Sequence, residues 1–173
     1  MKISNTFKFA ALSAALMVGA CTTKQEVAAT PPPPVAPMQQ PVPQQAPGIL
    51  PGSVQDFKVN VGDTVHFAYN EYNVEDQDKS TLQKQATWLN RYPGVQITIE
   101  GDCDERGTRE YNLALGARRA NAVKEYLVSL GVNTGRLQTV SYGKERPICT
   151  QSSEDCYAQN RRGVSTITGG AVS

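Results

Sequence analysis

The chain has 173 residues, room for one domain of ordinary size plus extra segments, since a single domain takes about 100 to 200 residues. Its 17 Lys and Arg against 16 Asp and Glu give a formal charge of +1, and loss of Lys2 and Lys8 with a leader would turn the 17 into 15. That near-neutral balance argues against nucleic acid as a partner and against a membrane contact driven by charge alone.

Residues 1–20 read as an export signal, with Lys2 and Lys8 as the positive start and residues 9–18 as a short apolar run. The run is too short to cross a bilayer, which takes about 20 apolar residues. It leads into Val18-Gly19-Ala20-Cys21, which resembles the lipobox of bacterial lipoproteins. The resemblance implies cleavage before Cys21 and its acylation with several chains, as stable anchoring requires. An ordinary secretory cleavage site followed by a chance cysteine is the alternative. An Asp after the cysteine is the inner-membrane retention mark in enteric-type bacteria. Thr22 stands there instead, so the expected place is the outer membrane, with the rest of the chain facing the periplasm.

Residues 21–53 form the next segment. Within it and at its edge stand Pro31, Pro32, Pro33, Pro34, Pro37, Pro41, Pro43, Pro47 and Pro51. Proline lacks the backbone donor that helices and sheets need, so an extended, solvated tether is expected. At about 3.1 Å per residue in the polyproline II form, residues 30–52 would reach roughly 70 Å. A ligand for an SH3-type module is the other use of such a composition.

Residues 54–173 mix apolar and charged side chains as a packed domain does. Residues 61–69 alternate, with Val61, Val65, Phe67 and Tyr69 on one side, and predict a strand. Ser80 and Gln83 match a capping box, and Leu82, Ala86 and Leu89 follow at helical spacing until Pro93-Gly94. Val95, Ile97 and Ile99 alternate as a second strand. Thr108 is the expected N-cap of the longest helix, with Glu110 near its positive end and Gly131 as its C-terminal stop. Leu113, Ala117, Ala120, Val123, Leu127 and Leu130 form its expected buried stripe. Two more strands are expected at residues 137–142 and 163–168. The pattern β-α-β-α-β-β implies a small α+β sandwich, two helices on one face of a mixed sheet of about four strands.

Between the last two strands lie Cys149 and Cys156. In an oxidising compartment a disulfide between them is physically reasonable and would pin a polar loop. A metal site is the competing use, but the cysteines lack C-x-x-C spacing, the sole histidine is His66, and structural zinc takes four ligands. No metal is therefore expected. An enzyme would need a nucleophile with a base, for instance Cys103 with His66 or a Ser-His-Asp set. With one histidine, no nucleophile elbow and no phosphate-binding glycine motif, the chain reads as a non-enzyme with no catalytic residue and no cofactor.

On the long helix, Asn112, Leu115, Arg119 and Tyr126 fall along a flank beside the stripe, which predicts Arg119 as half sheltered and Arg118 as solvated. Lys124 and Glu125 belong to the solvated face. Trp88 fits either rim packing or a partner contact, and His66 reads as structural. Before the helix, residues 101–108 (Gly-Asp-Cys-Asp-Glu-Arg-Gly-Thr) make a strand-to-helix loop rich in acceptors and donors.

These blocks, Gly101-x-Cys103-Asp104-Glu105-Arg106-Gly107-Thr108-x-Glu110-Tyr111-Asn112, Leu115-Gly116-x-Arg118-Arg119-Ala120-Asn121-Ala122-Val123, Ser141-Tyr142-Gly143-Lys144-Glu145 and Asn160-Arg161-Arg162, resemble the OmpA-like peptidoglycan-binding domain family. The likeness is strongest to its lipoprotein branch in the Tol system, and it spans about residues 57–168. It implies the fold read above and a groove for the stem peptide of uncrosslinked peptidoglycan. In the family an Asp of the loop and an Arg of the following helix hold diaminopimelate, and the matching positions are Asp104 and Arg119. A carboxylate and a forked guanidinium suit the ammonium and carboxylate that diaminopimelate carries on one carbon. Glu105, Thr108, Leu115 and Arg162 rank second, Leu115 as an apolar contact.

The resemblance also implies Tol partners, chiefly the propeller protein TolB, which in this family competes with peptidoglycan for an overlapping surface. The sequence departs from the family in having Asp102 where a histidine often stands, and Tyr69-Asn70 where an Asp often follows the Phe. For Asp104 and Arg119 the structural alternative is a mutual salt bridge ordering the loop. For the whole chain it is a lipoprotein that docks envelope proteins without touching the wall.

Overall fold

The computed structural model describes residues 48–173. The leader, Cys21 and residues 21–47 of the tether lie outside the described residues. The described part opens with α1 (Val54–Asp56), whose N-cap Ser53 accepts a bond from Asp56 N at 3.1 Å, and runs into a π-helical turn at Phe57–Val61. Gly62 ends the turn at φ 90°, a conformation open to a residue without Cβ.

The alternating stretch 61–69 yields a strand only at β1 (Thr64–His66). Val65 and Phe67 are buried as their spacing predicts, but Val61 belongs to the turn and Tyr69 is exposed. The ladder is cut short because the chain beyond it is recruited elsewhere: the carbonyls of Ala68 and Glu71 accept hydrogen bonds from Arg119.

Helix α2 (Asp76–Arg91) starts before the expected capping box. Glu75 is its N-cap, and Asp76 and Asp78 put negative charge on the positive end of the helix dipole. Ser80 sits inside the first turns and donates to Gln77 O at 3.2 Å, so the Ser80/Gln83 pattern is a surface coincidence. Leu82, Ala86 and Leu89 are buried. Trp88 packs in the core between Phe57 and Tyr92, with centroids 4.9 and 4.6 Å away, and its indole N–H donates to Asp56 Oδ2 at 2.8 Å. It is neither rim nor partner contact.

Strand β2 (Gln96–Asp102) leads to α3 (Arg109–Ser129). Thr108 caps α3 by accepting from Tyr111 N, and Gly131 at φ 89° stops it, with Val132 N donating to Leu127 O and Gly131 N to Val128 O. A 3₁₀ turn at Thr134–Arg136 precedes β3 (Leu137–Gly143). The loop with the cysteines contains a helix absent from the sequence reading, α4 (Glu154–Asn160), nucleated by the Ser153 cap and two acidic residues in its first turn. Strand β4 (Arg162–Gly169) follows.

The sheet is mixed, in the order β1-β4-β2-β3, with β2 parallel to β3 and antiparallel to β4. Val65, Ile97, Ile99 and Leu137 of the sheet share one core with Leu82, Leu89, Val123 and Leu127 of α2 and α3, as the α+β sandwich requires. Helix α3 meets the sheet with no side chain between: a Cβ on Gly101 would overlap Gly116 O, and one on Gly116 would overlap Ser141 Oγ. This contact presses the first half of α3 onto the ends of β2 and β3, where the loop 103–108 begins. Among the described residues no helix is long and apolar enough to cross a membrane.

Candidate functional site

Loop 103–108 is held at backbone groups along its length. Cys103 N donates to Gly143 O at 2.7 Å. Asn112 Nδ2 donates to Arg106 O and Thr108 O, and Lys144 Nζ to Glu105 O and Gly107 O. Gly107, at φ 91°, makes the turn into the helix. Asn112 and Lys144 thus spend their side chains on positioning the loop, which turns a mobile connection into a rigid one.

Inside this frame lies a pocket of about 140 Å³ whose wall includes Asp104, Leu115, Arg119 and Arg161, with Tyr69 and Tyr111 at its mouth. Arg119 is fully buried, not half sheltered. The stripe that packs inward on α3 is rotated toward Asn112, Leu115, Arg119, Ala120, Val123 and Leu127, while Leu113, Ala117 and Leu130 are only partly covered. The close Gly101 to Gly116 contact explains the rotation, because it faces the small residue to the sheet and brings its neighbours in with it. Arg118 is exposed as expected, over the Tyr72 ring.

The Arg119 guanidinium donates to three backbone carbonyls: Nε to Glu71 O and Nη1 to Asp102 O, both at 2.8 Å, and Nη2 to Ala68 O at 3.1 Å. Burial lowers its pKa, and the nearby Arg161 adds to that. A guanidinium has five N–H donors, so one on each terminal nitrogen is not bonded to a carbonyl, and the Cys103 sulfur lies beside the group as a weak acceptor. Arg119 does not form the salt bridge with Asp104 that was the structural alternative; that carboxylate pairs with Arg106 at 2.5 Å and Arg161 at 3.4 Å. Burial alone would raise the Asp104 pKa, but hydrogen bonds from the Arg106 side chain and backbone, with the Arg106 charge and a bond from Arg161, hold it below the usual carboxylate range. The site therefore keeps an ionised carboxylate and a buried cation along one wall.

The second-rank residues divide. Leu115 lines the pocket. Thr108 is an exposed cap, and Glu105 lies on the rim, where its Oε1 accepts from Tyr157 OH and Ser152 Oγ. Arg162 is not in the pocket wall: it pairs with Asp102 on the other face of the sheet at 3.1 Å and donates to Arg146 O. Alternation along β4 sends Arg162 away and leaves its neighbour Arg161 in the wall, its Nε donating to Phe67 O at 2.9 Å. Sequence reasoning passed over Arg161 and Arg106, although both stand in the quoted motif blocks.

Asn160, the first residue of the Asn160-Arg161-Arg162 block, clamps the cysteine loop: Oδ1 accepts from Ile148 N and Cys149 N, and Nδ2 donates to Cys149 O. Cys149 and Cys156 form the expected disulfide, with Cα atoms 5.3 Å apart. Cys103 is free and buried in the pocket wall, its thiol donating to Asn112 O, and burial pushes its pKa up to about 11. Among the described residues no group of three or more His, Cys, Asp or Glu side chains is arranged to hold a metal.

Asp102 is buried, and although Arg162 Nη2 stands 3.1 Å from its Oδ2 as an ion pair, neither carboxylate oxygen receives an aligned hydrogen bond. Burial raises its pKa to about 6 against the weaker opposing pull of Arg162. A carboxyl whose folded pKa lies above its unfolded one binds its proton more tightly when folded. Its contribution is therefore full below about pH 4 and is lost as pH rises through about 6. We predict that the stability of wild type relative to Asp102→Asn falls by about 2 kcal/mol between pH 4.5 and 7, measured by urea unfolding. An equal difference at both pH values would contradict this.

The site and fold can be set against known proteins. The OmpA family model matches residues 66–161, from the end of β1 to the end of α4, just before β4. The peptidoglycan-associated lipoprotein of Agrobacterium fabrum is 54% identical over 121 residues, 70% of this chain and 68% of that protein. That of Rhizobium meliloti is 55% identical over 123 residues, 71% and 69% of the two chains. A crystal structure of the peptidoglycan-associated lipoprotein from Burkholderia pseudomallei superposes with a TM-score of 0.60 at 43% identity, covering 61% of this chain and 90% of that one. The pinned loop and the buried Arg119 thus sit within a matched region that takes up more than half of the sequence, and the chain belongs to the OmpA family.

Proposed function

We propose that this chain is an outer-membrane lipoprotein whose domain binds peptidoglycan without altering it and so tethers the outer membrane to the wall. The observation that carries the reading is the pocket wall itself, where a buried, ionised carboxylate and a guanidinium with two spare donors lie beside the apolar Leu115. Diaminopimelate in a stem peptide presents an ammonium and a carboxylate on one carbon, and this pair answers both charges. The names of the relatives, peptidoglycan-associated lipoproteins, support the same ligand class.

In this reading residues 1–20 are the leader, residues 21–53 the acylated start and tether, and residues 54–173 the wall-binding domain. Acyl chains on Cys21 supply the membrane hold. TolB and the other Tol proteins are the proposed protein partners, with TolB approaching the same exposed rim as the wall. No catalytic step is assigned: the pocket binds and orients. A lipoprotein that only docks other proteins is the outcome if wall binding fails.

Asp104→Asn keeps the size of the side chain and removes its charge. It is expected to bind purified sacculi at least about tenfold more weakly than wild type, with an unchanged circular dichroism spectrum. Sedimentation with sacculi reads this directly, and equal sedimentation of the two proteins would remove Asp104 from the site. Arg119→Ala is a poorer probe, since it also removes the donors of three backbone carbonyls, one of them buried, and costs several kcal/mol of stability. For the anchor, Cys21→Ser should shift the protein from the membrane fraction to the soluble fraction or leave it uncleaved. Full retention in salt-washed outer membranes lacking wall would rule out the lipid anchor.

A further inference from the structure

Asp104 already has its donors. Oδ1 accepts from Arg106 N at 3.1 Å, and Oδ2 accepts from Arg106 Nη2 at 2.5 Å, Arg106 Nε at 3.2 Å and Arg161 Nη1 at 3.4 Å. A carboxylate offers about four lone-pair sites. Oδ2 carries three of the four donors while Oδ1 keeps one lone pair free, so an incoming ammonium that is to bind both oxygens has to displace the protein's own cation from Oδ2.

The two arginines differ in their freedom to leave. Arg161 has a side chain 8% exposed and is tied through Nε to Phe67 O, so moving it would strand a buried carbonyl. Arg106 has a side chain 33% exposed, at the mouth of the pocket. Its guanidinium lies over the rings of Tyr69 and Tyr157, at 4.2 and 4.3 Å from their centroids, and Nη1 reaches the exposed Glu154 at 3.3 Å. It can thus release Asp104 while Glu154, outside the pocket and shared with Arg161 Nη1 at 2.8 Å, still offers it a carboxylate. Both Glu154 and Tyr157 belong to α4, which also carries Cys156 of the disulfide.

We infer, resting on the reading of this pocket as a site for a peptide with paired ammonium and carboxylate, that Arg106 is a resident cation which the ligand's ammonium displaces from Asp104. Exchange of one cation for another at Asp104 gains little by itself. The surplus comes from the carboxylate that the spare Arg119 donors receive, so a simple amine is held out and an amphoteric group is admitted. Arg106 is in this sense a specificity-determining residue that lowers affinity for every ammonium ligand by the cost of moving it.

The test is calorimetric titration of the mature chain in detergent with a soluble stem peptide ending in meso-diaminopimelate. Arg106→Gln is expected to bind about fivefold more tightly than wild type, the gain from removing one partly exposed ion pair. Arg106→Lys, which keeps the charge but loses the planar fork, should fall between the two, and it serves if Arg106→Gln does not fold. Binding by wild type with equal or weaker binding by both variants would overturn the resident-cation role and leave the site reading intact. No binding by wild type would overturn the site reading instead.

Discussion

The burial of the Arg119 charge is the constraint on which the site depends. A guanidinium taken wholly out of water costs several kcal/mol unless its donors are met, and here three backbone carbonyls from separate stretches meet them. Two come from the segment after β1 and one from the end of β2, so a single side chain on α3 ties three parts of the chain together. The shortness of β1 follows, because the carbonyls beyond it face the arginine and cannot extend the ladder. The pocket floor follows too, as the guanidinium is fixed before any ligand arrives.

Around this fixed cation the chain arranges a division of labour. Asn112, Lys144 and Asn160 hold backbone, and Gly101 with Gly116 lets α3 come close enough for Arg119 to reach Asp102 O. Asp104 and Arg161 form a second charged layer, nearly as buried. Of the charged side chains in the wall only Arg106 is partly exposed, beside the exposed Tyr69 and Tyr111. The order from floor to mouth is therefore rigid to mobile, which suits a site that must be preformed yet open to a polymer too large to enter it whole.

Much of this was legible in the sequence, and the failures have physical causes. The strands over residues 95–99, 137–142 and 163–168, and the Thr108 and Gly131 helix ends, were readable because periodicity and caps are local. The α2 start was misread because Ser80 and Gln83 fit a capping pattern that the acids at 76 and 78 outcompete. Arg119 was placed at half shelter because helical angles alone cannot show a glycine contact that rotates the helix. Arg162 was named and Arg161 passed over because the one-residue phase of β4 is fixed only by its pairing with β1 and β2. Helix α4 lay hidden in a short polar segment with no periodicity to report it.

Arginine side-chain NMR, following the Nε–H resonances as a diaminopimelate stem peptide is added, distinguishes a locked Arg119 from a movable Arg106. The Arg119 Nε–H is expected to exchange slowly with solvent in the free protein and to stay protected at saturation, with its bond to Glu71 O kept, while the Arg106 resonance shifts. A rapidly exchanging Arg119 in the free protein, or an Arg106 resonance that does not move at saturation, would contradict this.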